Sequence, residues 1–462
     1  MVNSNLEAVR ELLFRIREEL EELQYVEYPV DAPKKILDHL LKVFKQIEVW
    51  LGRDDISALK IKRLGLFLAA IHRTLWTLDR IKLEDIPIEL FELLEDVLDH
   101  LNLSDNVYIY IKPIYEFNYG YMDVFKFIDE SLSYFSSESN TNEDKTHVAM
   151  LMFPITQKEN ILLNSVLSHE MGHLLNDLIQ ISDEIIPKIE INKKYLNKLI
   201  DKVRSDLSKI KARKGDTEIP LNEIFEIEEG LNAQLIEDFT KILVKWLDEL
   251  ISDCIAIHLF GPSYFLALVE MAEITHEDTT YSSDHPPLFI RVDLMLRELE
   301  DHGYVQALQE FPKIRAIIDY YKEVSKKTIS ETDLKGKILE ESIKKVLDDI
   351  ISEVNSHILP YYTAKTLENE INALVSRIKE LVPPNEIVDG SGGPVSVHPV
   401  SIINAGSIAK IEYMDEMYSL LGVNSEAEKH EVKKTLNKLV IKGLELHNIC
   451  EKVRGAINAS NF

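Results

Sequence analysis

Residues 164–177 read Asn-Ser-Val-Leu-Ser-His-Glu-Met-Gly-His-Leu-Leu-Asn-Asp, so His169, Glu170 and His173 form a His-Glu-x-x-His unit. On a helix, His169 and His173 stand one turn apart on one face and offer two imidazoles to a single ion. Glu170 then projects beside the metal, where it can take a proton from bound water as general base. Composition alone yields on the order of 0.04 such units by chance, so the unit is suggestive and its surroundings must decide. Ser165, His169, His173, Asn176 and Asp177 form a polar stripe among Leu162, Leu163, Val166, Leu167, Leu174 and Leu178. A buried polar stripe costs free energy unless each member has a partner, and a metal would provide one. Asp177 either bonds a ligand histidine or lies on the helix surface.

A tetrahedral catalytic zinc takes a third protein ligand and keeps one position for water. The extended motif with a third histidine fails here, because Asn176 stands in place of its glycine and Ile179 in place of its histidine; this excludes the metzincin arrangement. Further on, residues 246–253 read Trp-Leu-Asp-Glu-Leu-Ile-Ser-Asp, with Glu249 and Asp253 one helical turn apart. Glu249 can ligate the metal while Asp253 accepts a hydrogen bond from the far nitrogen of a ligand histidine. A Glu-x-x-x-Asp pair is weak alone in an acidic chain, but this one is followed by Cys254-Ile255-Ala256-Ile257, which favours a buried role.

With a third segment, Asp284-His285-Pro286-Pro287-Leu288-Phe289-Ile290-Arg291, the chain resembles the gluzincin peptidases. Within them it is similar to the group of membrane-bound prenyl-protein peptidases and their soluble relatives. The resemblance covers roughly residues 107–299 and implies zinc-dependent hydrolysis of peptide bonds. It implies His169, His173 and Glu249 as ligands, Glu170 as base and Asp253 as support. His285 would donate a hydrogen bond to the oxyanion, and Arg291 would support the site, hold Asp253 or hold substrate. Preorganised donors for a developing negative charge are what that chemistry needs. The alternative for His285-Pro286-Pro287 is a turn that opens a helix. The membrane spans of that group are absent, which puts prenyl-protein substrates in doubt.

The elements that must carry these residues follow from periodicity. The fold class is mainly α with a small β-sheet, a gluzincin-like core flanked by helical N- and C-terminal regions. Residues 1–104 read as helices, with Leu6, Val9, Leu12, Leu13, Ile16, Leu20 and Leu23 at helical spacing. The core spans 105–325. Strands are expected at 107–111 and 148–153, the second as a sheet edge along which an extended peptide could lie. Residues 136–145 are expected to be a mobile loop. A charged helical insertion covers about 184–230, its run 184–213 expected to be solvated, before a long helix at 231–259. Later helices are expected at 286–299, 312–327, 333–356, 364–381 and 426–454. Residues 326–462 form the C-terminal helical region, with a flexible loop at about 383–395. Tyr264 reads as a core tyrosine, the alternative being a second donor that leans towards the site; His258 and His276 read as surface or capping residues, and His398 as a loop residue.

Bulk composition sets limits. The chain has 462 residues, 45% hydrophobic and 28% charged, with a net charge of −27. That surface repels phosphate backbones and anionic lipid, so nucleic acid and membrane are not expected partners; a protein or peptide substrate and a regulatory protein are. Two cysteines, no apolar run of membrane length and no secretory signal lead to the expectation of a cytoplasmic protein. Two other classes compete with the peptidase. One is a non-catalytic, zinc-stabilised scaffold. The other is a di-iron carboxylate protein built on Glu170-x-x-His173 and Glu273-x-x-His276.

Overall fold

Apolar residues spaced to cover one face of a helix need a second surface to bury that face, and each half of this chain meets the need internally. The computed structural model describes the chain apart from residues 1, 29, 53–55, 79–86, 134–145, 215–220, 276–280, 389–392 and 461–462. It comprises two compact units, Met1–Glu159 and Asn160–Phe462.

The first unit holds α1 (Val2–Leu23), α2 (Ala32–Leu51), α3 (Ala58–Leu78), α4 (Ile88–His100) and α5 (Val124–Ser133) with a three-stranded sheet. In that sheet β1 (Val107–Ile114) pairs in parallel with β3 (His147–Pro154), and β2 (Gly120–Asp123) pairs with β3 antiparallel. Leu13, Ile16 and Leu20 of α1 share one core with Tyr110, Phe125, Val148 and Met150. The strands therefore belong with the N-terminal helices, and the division falls at 159/160 where boundaries near 104 and 325 were expected. The edge role expected of 148–153 does not hold. Strand β3 is the central strand, paired with β1 along its length and with β2 over Ala149–Met152; the four-residue β2 carries too little pattern to mark it as a strand in the sequence. The loop expected at 136–145 lies outside the described residues.

The second unit is helical apart from one hairpin. Its elements are α6 (Leu167–Ile179), α7 (Ile181–Ile185), α8 (Lys193–Lys214), α9 (Leu221–Phe260), α10 (Pro262–Thr275), α11 (Leu288–Asp301), α12 (Tyr304–Ala307) and α13 (Pro312–Ser325), followed by α14 (Leu334–Ile343), α15 (Leu347–His357), α16 (Ala364–Lys379), α17 (Pro399–Glu412), α18 (Met414–Leu420) and α19 (Glu426–Ser460). Helix α9 is the axis, packed by α6, α10, α11, α14 and α15. From Leu250 to Phe260 it is buried on every side, as its continuous apolar run requires. It begins at Leu221, ten residues before the expected start. The run 184–213 is not wholly solvated, since Tyr195, Leu196, Leu199 and Ile200 are buried and α8 packs on α14. The helix expected over 333–356 is two helices joined by a 3₁₀ turn at Lys344–Val346. In the segment expected to be a flexible loop, β4 (Glu386–Val388) pairs antiparallel with β5 (Pro394–Ser396). No described helix is long and apolar enough to cross a membrane.

The contact that brings the His169–His173 helix to the helix of Glu249 is α6 on α9. A Cβ at Gly172 would stand 2.7 Å from both Cα and the carbonyl oxygen of Ser252, so only glycine allows this approach. We expect Gly172→Ala to cost about 1–3 kcal/mol, read as a lower Tm, and to weaken metal binding by forcing the helices apart. Unchanged melting would show that the contact relaxes without cost.

Candidate metal centre

Helices α6 and α9 run antiparallel, so residues later on α6 meet residues earlier on α9. His169 and His173 present their Nε2 atoms to the carboxylate of Glu249, at 3.3 Å from Oε2 and 3.4 Å from Oε1 respectively. Those separations are long for good N–H···O hydrogen bonds. Each is close to the edge of a zinc tetrahedron, about 3.3–3.6 Å for ligand distances near 2.0–2.2 Å, and the two run to different oxygens of Glu249. The three ligand atoms lie within 4.8 Å of one another, so these residues could hold a metal ion.

The other ring nitrogen of each histidine is held by a carboxylate. Asp253 Oδ1 lies 3.0 Å from His169 Nδ1, and Asp248 Oδ2 lies 2.9 Å from His173 Nδ1. A carboxylate accepts, so each neutral ring carries its proton on Nδ1 and turns the Nε2 lone pair towards Glu249. Burial alone would lower both imidazole pKa values. The adjoining carboxylates outweigh it and hold His169 above the ordinary 6.5 and His173 well above it. Burial likewise opposes ionisation of Glu249, but the two imidazoles beside it and the Arg291 charge hold it well below 4.5.

Of the two readings open to Asp177, its exposed position fits the helix surface, and the carboxylate seen beside His173 Nδ1 is that of Asp248. The signal was the antiparallel pairing itself, which brings the residue just before Glu249 against the second histidine. Asn176 completes the arrangement. Its Nδ2 donates to Asp248 Oδ1 at 2.6 Å and its Oδ1 accepts from the Ser182 N–H at 3.1 Å, closing the turn after α6 at left-handed Gln180. Ser165 of the polar stripe donates to the carbonyls of Leu162 and Ser263. Losing the outer carboxylate in Asp248→Ala is expected to reduce divalent-metal affinity 10–100-fold, measured by zinc titration against a chromophoric chelator.

Asp253 is fully buried and receives Arg291 in a two-pronged contact, Nε to Oδ2 at 2.8 Å and Nη2 to Oδ1 at 2.7 Å. Burial would raise its pKa, yet the Arg291 charge and hydrogen bonds bring it down to about 2. Of the roles open to Arg291, the structure shows that of holding Asp253. Tyr264 also donates to Asp253, and its hydroxyl lies 3.2 Å from His169 Nδ1. Its position is set by the break between α9 and α10, where Gly261 is left-handed and Asn404 bonds both the Phe260 carbonyl and the Ser263 N–H. Tyr264 is thus a core residue that also positions a histidine.

Glu170 is buried, and that burial raises its carboxyl pKa above 4.5. His285 is exposed, its side chain 60% accessible, with Nε2 3.7 Å from Glu249 Oε1. The turn before it is tied to α9, where Trp246 Nε1 donates to the Ser282 carbonyl at 3.1 Å and Lys245 pairs with Asp284. Four carboxylates, of Glu170, Asp248, Glu249 and Asp253, gather around the Arg291 guanidinium and the two imidazoles. A divalent cation would offset that excess of negative charge.

Residues outside this group fall as follows. His258 is buried rather than on the surface, and His398 caps α17 with its ring against Tyr361 and Tyr362. Glu273 is exposed on α10, and His276 lies outside the described residues. Comparison of the chain with protein-family models, curated proteins and solved structures finds no match.

Proposed function

We propose that the chain is a zinc metallopeptidase of the gluzincin type, acting on a protein or peptide substrate. The observation that carries the reading is the convergence of His169, His173 and Glu249, whose ligand atoms lie within 4.8 Å of one another, each imidazole anchored by its own carboxylate. Zinc bound there supplies a Lewis acid that polarises a carbonyl and acidifies water towards neutrality.

The protein's own groups do the rest. Glu170, made more basic by burial, accepts the proton of the attacking water and delivers it to the leaving amine. His285, exposed and beside Glu249, meets the substrate and donates to the carbonyl oxygen as it gains charge. Asp248, Asp253, Tyr264 and Arg291 touch no substrate; they keep the ligand rings in one tautomer and one orientation. A non-catalytic zinc scaffold has no use for a buried, unligated Glu170 beside the ion. Two unpaired cysteines, buried Cys254 and exposed Cys450, together with the acidic surface, suit a cytoplasmic enzyme.

The test uses the full chain with a quenched-fluorescent peptide pool. Chelator dialysis is expected to abolish cleavage, and one equivalent of zinc to restore it. Cleavage that survives metal removal would end the reading.

A further inference from the structure

A second cluster lies further along α9. His258 Nε2 stands 2.6 Å from Glu298 Oε1, and His302 Nε2 approaches the same oxygen at 2.9 Å. Glu298 is on α11, and His302 closes that helix one turn later. The Asn355 Oδ1 of α15 lies 3.1 Å from His302 Nε2. His258 and Glu298 are buried and His302 is half-buried, which leaves a route in from solvent.

Proton bookkeeping shows what the cluster lacks. His258 Nδ1 faces the Ile358 carbonyl at 3.2 Å. A carbonyl only accepts, so that nitrogen carries the proton and the neutral ring turns a lone pair towards Glu298. Two lone-pair atoms 2.6 Å apart need a cation between them, either a proton or a metal. A proton between them leaves Glu298 Oε2 buried with no hydrogen-bond partner, whereas an ion would meet that oxygen too once the carboxylate turned to ligate through both. An unmet buried carboxylate oxygen is costly. The Nδ1–H to backbone carbonyl contact is also the usual way a metal-binding imidazole is oriented.

We propose that His258, Glu298 and His302 bind a second divalent ion of the zinc class, with Asn355 Oδ1 as fourth ligand. The three residues offer ligand atoms within 4.8 Å of one another. Two imidazoles, a carboxylate and an amide oxygen favour such an ion over calcium or magnesium. A tetrahedral edge near 3.3 Å requires Glu298 to yield by several tenths of an ångström, and the unbonded Oε2 leaves the carboxylate free to turn. With four protein ligands the site is closed, so its role is structural. It staples α9, α11 and α15, and through α9 and α11 it braces the helices that carry Glu249, Asp253 and Arg291.

The inference is independent of the function proposed above, and the test separates them. Zinc per chain is measured by elemental analysis on full-length protein dialysed against buffered zinc. Wild type is expected to hold two. His169→Ala/His173→Ala, which leaves the second cluster untouched, is expected to hold one, and adding His302→Ala is expected to remove it. No zinc in the double variant overturns the second site whatever the first one does. Zinc retained after His302→Ala overturns it equally, by placing the ion elsewhere. Should the triple variant lose its helical circular dichroism, His302→Gln, which keeps a donor for Glu298 but not an imidazole, replaces it with the same expected loss.

Discussion

Glu170→Gln is expected to retain its metal and lose about 10³-fold in turnover, within the range that a positioned general base contributes. Glutamine keeps the shape of the side chain, so the three ligands and their outer carboxylates are undisturbed. What disappears is the proton acceptor that the proposed mechanism assigns to Glu170. It is buried beside both histidines, its pKa is raised by burial, and its carboxylate is not among the three groups that converge as ligands. An amide cannot accept the proton of the attacking water or return it to the leaving amine. Elemental analysis alongside kcat on the peptide pool separates this outcome from loss of the ion. Turnover equal to wild type, with metal intact, would remove Glu170 from the mechanism.

Arg291→Met is expected to destabilise the protein by about 3–5 kcal/mol, the cost of leaving one partner of a buried ion pair uncompensated. Asp253 is fully buried and Arg291 nearly so, and the guanidinium meets both carboxylate oxygens at 2.7–2.8 Å. Methionine fills most of the volume and supplies no charge, so Asp253 is left to burial, which disfavours its ionised form. Lysine is not an adequate replacement, because a point charge cannot reproduce the two-pronged contact. His169 loses its orientation at the same time, since Asp253 is what its Nδ1 meets. Denaturant titration reads the loss, and Asp253→Asn/Arg291→Met is expected to recover part of it by removing the stranded charge. A single variant within about 0.5 kcal/mol of wild type would show that solvent reaches Asp253 and the pair is not a buried one.

Much of the site was legible in the sequence because its parts repeat at the period of a helix. His169 and His173, and Glu249 and Asp253, are each one turn apart, and two such pairs on facing antiparallel helices lie side by side. The long helices and the strands β1 and β3 were legible for the same reason, that their apolar periods differ. The hairpin of β4 and β5 was not, because three-residue strands carry too little pattern and its turn composition resembles a linker. Strand β2 was hidden likewise, and with it the central place of β3.

Local sequence, then, determined which side chains share a helical face and which chemistry that face can perform. It could not determine the depth and register at which separate helices meet, which depend on packing between residues far apart in the chain. That register put Asp248 beside His173, and it brought the backbone of Gly172 so near Ser252 that a Cβ would stand 2.7 Å from it. It also turned Tyr264 onto Asp253 and brought His258 to Glu298, contacts that no spacing within one helix contains.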